Sequence, residues 1–282
     1  MQQSVIINGH TVQYWVYHPE ATQTAVFIHG FTGSHEGFQY IIPLLPTVRC
    51  IVLDLPGFGR SDLPPRTHWS VQGLAQLANE CVATLALPTP PLLVGHSMGG
   101  LVASSMVHQA PQLFAKKIVL ISPVPTAIRR NDSRRVGALF GALQYKMGYK
   151  VPIFGEKLVK SRRISQAATR LITTTNDHTL RATINSHHLN NLGYISNIEF
   201  YSKLHHDINR QGAVDAAAEL QKKTVLLITG DADNVTPLKH MNRLAAAITP
   251  AQFVVLPGVG HLLHYERPKD VAELMQAFFS AH

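Results

Sequence analysis

The chain has 282 residues, of which 45% are hydrophobic and 15% are charged, and it carries a formal net charge of +8. This composition excludes a disordered chain, because it supplies enough apolar side chains for a large core and too little charge to keep the chain extended. It also predicts no transmembrane segment, since no apolar run approaches the roughly 18 residues that span a bilayer.

The N-terminus and the two cysteines bear on the cellular compartment. The first twenty residues lack the basic region, the apolar stretch and the small-residue cleavage site of a secretory signal. Cys50 and Cys81 are too few for a disulfide framework, and we expect both to be buried, reduced thiols. Together these features predict a cytoplasmic protein.

Short β-rich apolar runs alternate with longer helical patterns, which is typical of a parallel sheet with crossover helices. Three runs, AVFI, LLV and VLLI, are continuously apolar, as expected of strands covered on both faces. An Asn-Gly pair predicts that the first two strands form a hairpin. The strand candidates are Ser4–Ile7, Thr11–Tyr17, Thr24–Ile28, Cys50–Leu53, Leu92–Val94, Lys117–Ile121, Thr224–Thr229 and Gln252–Leu256.

Helical patterns occupy four stretches of this alternating part of the chain. Thr236 followed by Pro237 predicts an N-cap and a first-turn proline for the third stretch, and Pro268 begins the fourth in the same way. The helix candidates are Ser70–Leu85, Ser97–Gln109, Pro237–Ile248 and Pro268–Phe279.

The alternation breaks after the strand candidate Lys117–Ile121. Residues 124–215 show no clear strand pattern, and they contain helical patterns at Gly155–Thr173 and Asn176–Asn190. A loop of this length without structure of its own is implausible in a compact domain. We therefore predict a helical cap, or lid, inserted after the sixth strand. The predicted domains are residues 1–123 with 216–282 for the sheet domain and 124–215 for the cap.

Positive charge is concentrated in the predicted cap. Twelve Lys and Arg residues lie between Arg129 and Arg181, against three acidic residues, while the rest of the chain is close to neutral. A basic stretch raises the question of nucleic-acid binding, but no helix-turn-helix, zinc-finger or aromatic RNA-binding signature accompanies it, so we expect no nucleic-acid partner. Surface Lys and Arg usually serve solubility, and the alternative that some of them face an anionic substrate or interface stays open.

Residues 95–99 match the pattern Gly-x-Ser-x-Gly, between the strand candidate Leu92–Val94 and a helical pattern. In this context the pattern predicts a sharp turn that exposes a nucleophilic serine at the edge of a sheet. The flanking residues must be small because the chain doubles back on itself, and the helix N-terminus favours developing negative charge. Ser97 is therefore the candidate nucleophile; the alternative is an ordinary glycine-rich turn.

A second glycine turn, residues 29–34, follows the strand candidate Thr24–Ile28. Acyl transfer passes through an oxyanion that needs two preorganised backbone N–H donors. We expect one donor from Met98, directly after the serine, and the other from Phe31 in this second turn. The alternative is a plain strand-to-helix loop.

A serine nucleophile needs a base within hydrogen-bond distance and a carboxylate that orients the base. Among 16 histidines, His261 stands out because it follows the strand candidate Gln252–Leu256, and the carboxyl ends of parallel strands collect active-site groups. His264 is the nearest alternative. For the carboxylate, Asp233 follows the preceding strand candidate, with Asp231 as the alternative and an expected turn residue.

With these residues in place, the chain resembles the α/β-hydrolase superfamily, in its serine carboxylesterase or lipase-like branch. The resemblance implies an α/β fold with a mostly parallel eight-stranded sheet flanked by helices. In the family's Gly-x-x-Asp pattern, Gly230 aligns so that Asp233 is the acid, and in its Gly-His-x-x-x-x-Glu-x-Pro pattern His261 is the base. The matching segments are HGFTGS at 29–34, DLPGFGRSD at 54–62, GHSMGG at 95–100, GDADNVTP at 230–237 and GVGHLLHYERP at 258–268.

The resemblance implies a serine hydrolase that cleaves small-molecule carboxylic esters, thioesters or lipids through an acyl-enzyme, and it implies that residues 54–62 are a structural loop. The missing Gly-Pro-Gly pattern at residues 29–34 disfavours carbon–carbon bond hydrolysis of the meta-cleavage type, which stays an alternative together with a binding or receptor protein on the same scaffold. We expect no cofactor and no metal. The pairs His187-His188 and His205-His206 lack matching ligands and are expected to lie on solvated faces.

Overall fold

The computed structural model describes residues 1–130, 132–249 and 251–281. Within these residues, eight strands form one sheet. They are β1 (Gln2–Ile7), β2 (His10–Tyr17), β3 (Gln23–Ile28), β4 (Val48–Leu53), β5 (Leu92–His96), β6 (Lys117–Ile121), β7 (Thr224–Gly230) and β8 (Ala251–Leu256).

The sheet has the order β1-β2-β4-β3-β5-β6-β7-β8. β1 pairs antiparallel with β2, and β2 pairs antiparallel with β4, whereas every pairing from β4 to β8 is parallel. The predicted α/β class with a mostly parallel eight-stranded sheet is confirmed. Because parallel strands need crossover connections, helices cover both faces of this part of the sheet.

The core lies on both faces of the sheet. β3 shows why: Val26 and Ile28 point into one cluster of buried residues, while Ala25 and Phe27 point into the other. All four side chains are fully buried. A strand buried on both faces must be apolar at every position, which explains the continuous apolar run AVFI.

Eleven α-helices accompany the strands within the described residues. α1, α2 and α9 pack on one face of the sheet, and α11 packs on the other. The helices are α1 (Val71–Thr84), α2 (Met98–Gln109), α3 (Arg135–Lys150), α4 (Pro152–Val159), α5 (Arg162–Ile172), α6 (His178–Gly193), α7 (Ile198–Ile208), α8 (Ala217–Leu220), α9 (Leu238–Ala247), α10 (Leu263–Glu266) and α11 (Pro268–Ser280).

The chain between β6 and β7 holds the helices α3 to α7, which we call the inserted helices. The two ends of this insertion meet, because the backbone N–H of Ala213 donates to the carbonyl of Val124 at 2.8 Å and that of Val214 donates to Pro125 at 3.1 Å. The helical pattern predicted at residues 155–173 corresponds to two helices rather than one continuous element. The structure divides it into α4 and α5, with Ser161 in an extended conformation at the N-cap of α5.

None of the helices within the described residues is both long and apolar enough to cross a membrane. Cys50 and Cys81 are free and buried. Burial raises the pKa of each thiol to about 12, so both are protonated and poorly nucleophilic at neutral pH.

Asp54, directly after β4, ties two loops together at the carboxyl end of the sheet. Its carboxylate is fully buried and accepts hydrogen bonds from the backbone N–H of His35 at 2.7 Å and of Arg60 at 2.8 Å. Gly59 has a φ of +52°, and a Cβ there would lie 2.1 Å from Asp54 Oδ2. The loop after β3, which carries the candidate oxyanion donor, is therefore held against the loop after β4.

We predict that Asp54→Ala lowers the free energy of unfolding by about 3 kcal/mol or more, because the buried N–H of His35 and the partly buried N–H of Arg60 lose a charged acceptor. Asp62→Ala is the matched control. Asp62 is exposed and accepts one hydrogen bond, from the N–H of Thr11 at 2.7 Å, so we expect a loss of about 1 kcal/mol. Urea unfolding followed by circular dichroism measures both variants, and equal losses would contradict the central position of Asp54.

Candidate active site

Ser97 occupies a strained turn between β5 and α2. Its φ of 55° and ψ of −121° lie outside the regions that L-residues normally adopt. The turn is possible because the residues two before and two after Ser97 are glycines: a Cβ on Gly99 would lie 2.1 Å from the carbonyl oxygen of Ile28, and one on Gly95 would lie 2.4 Å from that of Gly99. The close approach of backbone to backbone therefore presents the serine hydroxyl at the sheet edge.

Three side chains predicted from the sequence meet at this turn. His261 Nε2 lies 2.8 Å from Ser97 Oγ, and His261 Nδ1 lies 2.9 Å from Asp233 Oδ2. They come from the ends of β5, β7 and β8, which the parallel register brings to one edge of the sheet. With its proton on Nδ1, the imidazole donates to the carboxylate and accepts from the serine hydroxyl, which is the arrangement for proton transfer.

Asp233 is held as a carboxylate. Burial by itself would raise its pKa, but His261 and hydrogen bonds from Thr236 outweigh burial and hold the pKa below its usual range. The N–H groups of Val235 and Thr236 donate to Oδ1, each at 2.8 Å, and the Thr236 hydroxyl donates to Oδ2 at 2.6 Å. A negative charge with this many donors orients the histidine and stabilises its protonated form.

The N-cap predicted at Thr236 is wrong. α9 begins at Leu238, Pro237 occupies the N-cap position, and the cap makes no side-chain hydrogen bond to the helix. The Thr236 hydroxyl is engaged with Asp233 instead. Thr236 is thus a residue of the candidate site that sequence reasoning missed; its place three residues after the acid was the available signal.

The two alternative residues lie elsewhere. Asp231 is exposed, and its Oδ1 accepts from the N–H of Gly258 at 2.7 Å, which links the loops after β7 and β8. His264 is buried, with its ring centroid 4.0 Å from that of His96. Burial and neighbouring histidines hold the pKa of His264 well below its usual value, so it stays neutral.

His96 supports His261 through the backbone and was not assigned a role from the sequence. Its Nε2–H donates to the carbonyl oxygen of His261 at 3.2 Å. Burial and the nearby His261 lower the pKa of His96 to about 3. A neutral ring next to the base adds no positive charge that would oppose protonation of His261.

Phe31 and Met98, the candidate oxyanion donors, border Ser97. Met98 is the first residue of α2, and Phe31 follows Gly30, where a Cβ would lie 3.3 Å from the Cβ of Ser97. In the part of the chain that the structure describes, neither backbone N–H donates to a protein acceptor. Two free donors beside the candidate nucleophile match the geometric demand of an oxyanion site.

Aromatic side chains of the inserted helices pack on the Phe31 ring. The ring centroids of Tyr145 on α3 and Tyr201 on α7 each lie 5.6 Å from that of Phe31, and the centroid of His205 on α7 lies at 5.8 Å. Tyr145 and Tyr201 are buried. The Phe31 ring is therefore packed against aromatic side chains of the inserted helices, which the sequence did not reveal because these residues are distant along the chain.

The solvated positions expected for two histidines are wrong. His205 packs against Phe31, and burial lowers its pKa to about 4. His188 on α6 lies with Nδ1 2.8 Å from the hydroxyl oxygen of Thr169, and burial lowers its pKa to about 4 as well. Both rings are neutral contacts of the inserted helices, whereas His206 is exposed as expected.

Glu266 joins the inserted helices to the loop of the candidate base. Its carboxylate accepts from the backbone N–H of Thr174 at 3.0 Å and lies 2.9 Å from the Thr174 hydroxyl. A second contact joins the Ser34 hydroxyl, which donates to the side-chain oxygen of Asn191 at 2.9 Å. The inserted segment is thus hydrogen-bonded to the chain that follows β3 and to the chain that follows β8.

Within residues 1–130, 132–249 and 251–281, no group of three or more His, Cys, Asp or Glu side chains converges so that it could hold a metal ion.

Comparison with known proteins yields several matches. The model of the alpha/beta hydrolase family matches residues 25–274. The "Uncharacterized hydrolase YugF" of Bacillus subtilis is 29% identical, over 96% of this chain and 95% of the relative. A pimeloyl-[acyl-carrier protein] methyl ester esterase of Yersinia pseudotuberculosis is 24% identical, over 94% and 96%. An esterase from Exiguobacterium antarcticum shares the fold, with a TM-score of 0.79 at 18% identity and complete coverage of both chains.

We predict that Asp233→Asn slows labelling of Ser97 by a fluorophosphonate probe by about three orders of magnitude or more, because the amide favours the wrong tautomer of His261. Asp231→Asn is the control, and we expect it to slow labelling by less than about tenfold because its partner is the backbone of Gly258. Time-resolved labelling measures both rates. The reverse order of effects would move the orienting carboxylate to Asp231.

Proposed function

The chain belongs to the alpha/beta hydrolase family, and on that basis we propose that it is a serine hydrolase that cleaves carboxylic esters through an acyl-enzyme intermediate. The observation that carries the proposal is the hydrogen-bonded line from Ser97 through His261 to Asp233, with distances of 2.8 and 2.9 Å. Two free backbone N–H donors lie beside Ser97, and acyl transfer requires such donors next to an activated nucleophile.

In the proposed mechanism, Ser97 Oγ attacks the ester carbonyl carbon while His261 Nε2 accepts the hydroxyl proton. The carbonyl oxygen becomes an oxyanion that accepts hydrogen bonds from the N–H groups of Phe31 and Met98. His261 then donates its proton to the leaving alkoxy oxygen, and the alcohol departs. Water attacks the acyl-enzyme by the same route and releases the acid, with Asp233 balancing the imidazolium charge in both halves.

The aromatic surface around Phe31 supports an apolar group on the substrate. Tyr145 and Tyr201 pack on that ring beside the proposed oxyanion site, and neighbouring His205 is held neutral by burial. An uncharged acyl or alcohol group loses little solvation there, whereas a charged group would be buried at high cost. The similarity to a methyl ester esterase fits the same substrate class.

The inserted helices form the proposed cap, residues 124–215, over the sheet domain of residues 1–123 and 216–282. Tyr145 and Tyr201 come from these helices and pack on the ring of Phe31, the proposed oxyanion residue. Side chains of the cap therefore bound the substrate site, and their identity sets which esters fit.

We predict that Ser97→Ala abolishes hydrolysis of p-nitrophenyl esters, because the acyl group has no nucleophile to bind to. A panel of esters from short to long acyl chains measures turnover, and mass spectrometry of the wild type after rapid quenching should detect the acyl group on Ser97. The control is the thermal midpoint, which should stay within a few degrees because the hydroxyl contributes little packing.

Residual turnover of Ser97→Ala would contradict the assignment of the nucleophile. Cleavage of a dienoate substrate at its carbon–carbon bond, with no turnover of any ester, would overturn the substrate class while leaving the catalytic residues in place.

We predict that His261→Leu lowers kcat by about four orders of magnitude, because among the described residues His261 alone lies within hydrogen-bond distance of Ser97 Oγ to accept its proton. His264→Leu is the matched control, and we expect activity within about tenfold of the wild type, since His264 stays neutral and its ring packs against His96. Steady-state ester hydrolysis measures both. A greater loss in His264→Leu, with its fold intact by circular dichroism, would move the base to His264.

A further inference from the structure

One face of α3 carries a row of large apolar side chains that are exposed. The exposed fraction runs from 46% at Met147 to 78% at Val136. These residues recur every third or fourth position, so they form one continuous stripe along the helix. We call this surface the α3 stripe, and its members are Val136, Leu139, Phe140, Leu143 and Met147.

The opposite face of α3 fixes the direction in which the stripe points. Tyr145 is buried against Phe31, and Gly148 packs so closely on the neighbouring helix that a Cβ there would lie 2.7 Å from Val159 Cγ2. Rotating α3 to bury the stripe would expose Tyr145 and break this close contact. The stripe is therefore held outward by the packing beneath it.

Positive charge borders the stripe. Arg135, Lys146 and Lys150 are exposed, and each is three or four residues from a stripe residue, which places them alongside it. Within the described residues, no salt bridge involves any of the three.

The three acidic residues between 129 and 181 are engaged elsewhere and do not neutralise these cations. Asp132 pairs with Arg134 at 2.6 Å, and Glu156 pairs with Lys160 at 2.8 Å. Asp177 accepts from the backbone of α6, whose N-terminus it caps. Within residues 129–181, no described acidic side chain therefore pairs with the cations that border the stripe.

We propose that the α3 stripe docks on an anionic lipid bilayer surface, with the apolar side chains in the boundary between head groups and acyl chains and the bordering cations at the head groups. An amphipathic helix with large apolar residues on one side and Lys or Arg beside them has the composition of an interfacial helix. A second copy of the chain is a poorer occupant, because two such surfaces would bring like charges together. The stripe lies on α3, outside the proposed catalytic residues.

Co-sedimentation with vesicles tests this proposal. The wild type should sediment with vesicles of equal parts phosphatidylglycerol and phosphatidylcholine. The double variant Phe140→Ser, Leu143→Ser should bind at least about tenfold more weakly than the wild type, because two apolar anchors are lost. Leu171→Ser on α5 is the matched control, since this leucine is 74% exposed but lies outside the stripe, and it should bind like the wild type.

A second pair of variants tests the charge. Lys146→Gln, Lys150→Gln should weaken binding to the anionic vesicles severalfold and should leave the weaker binding to pure phosphatidylcholine unchanged. Ser97→Ala should bind like the wild type, so failure of the proposed catalysis and failure of docking are distinguishable.

Three outcomes would overturn the proposal. The wild type could stay in the supernatant with anionic vesicles, or the Phe140 and Leu143 double variant could sediment as well as the wild type. The third is a concentration-dependent dimer of the wild type in analytical ultracentrifugation that the same double variant does not form. That result would identify a second copy of the chain as the occupant.

Discussion

The close approach of backbone to backbone at residues 95–99 is the constraint on which the rest of the site depends. Ser97 holds a positive φ because the chain must pass from β5 into α2 within one residue, and Gly99 lies against the carbonyl of Ile28, where no side chain fits. That contact places the serine hydroxyl at the sheet edge and leaves the N–H of Met98 at the start of a helix. It also sets the distance to the loop after β3, so a shift of the turn would separate the proposed nucleophile, base and oxyanion donors together.

Electrostatics around this turn follow from burial combined with selective hydrogen bonding. Asp233 keeps its charge inside the protein because Val235, Thr236 and His261 supply donors to it. The nearby rings of His96 and His264 have no such carboxylate partner, and burial keeps both neutral. Only one of the clustered histidines is therefore oriented for proton transfer, although several lie within a few ångströms of each other.

α3 links the two surfaces that carry our proposals. Its inner face brings Tyr145 onto the Phe31 ring beside Ser97, and its outer face exposes the stripe that contains Phe140. The packing that buries Tyr145 also points the α3 stripe outward, because both lie on opposite faces of one helix. Polar contacts such as that between Glu266 and the backbone of Thr174 hold the inserted helices against the sheet domain at the same time. A surface bound on the outside of α3 would thus lie one helix thickness from the proposed substrate site.

The sequence by itself predicted the strands of the sheet. It also indicated the candidates Ser97, Asp233 and His261, which the structure brings into hydrogen-bond distance. The strand positions along the chain and the glycine turn are readable because buried parallel strands are continuously apolar and a strained turn needs small neighbours. The sequence could not assign the Thr236 hydroxyl to Asp233 rather than to α9, nor place His205 against Phe31. It also could not show which apolar residues of α3 pack against other segments and which are exposed to solvent. Periodicity shows which residues share a face of a helix, but only the packing of distant segments decides whether that face is covered or left to solvent.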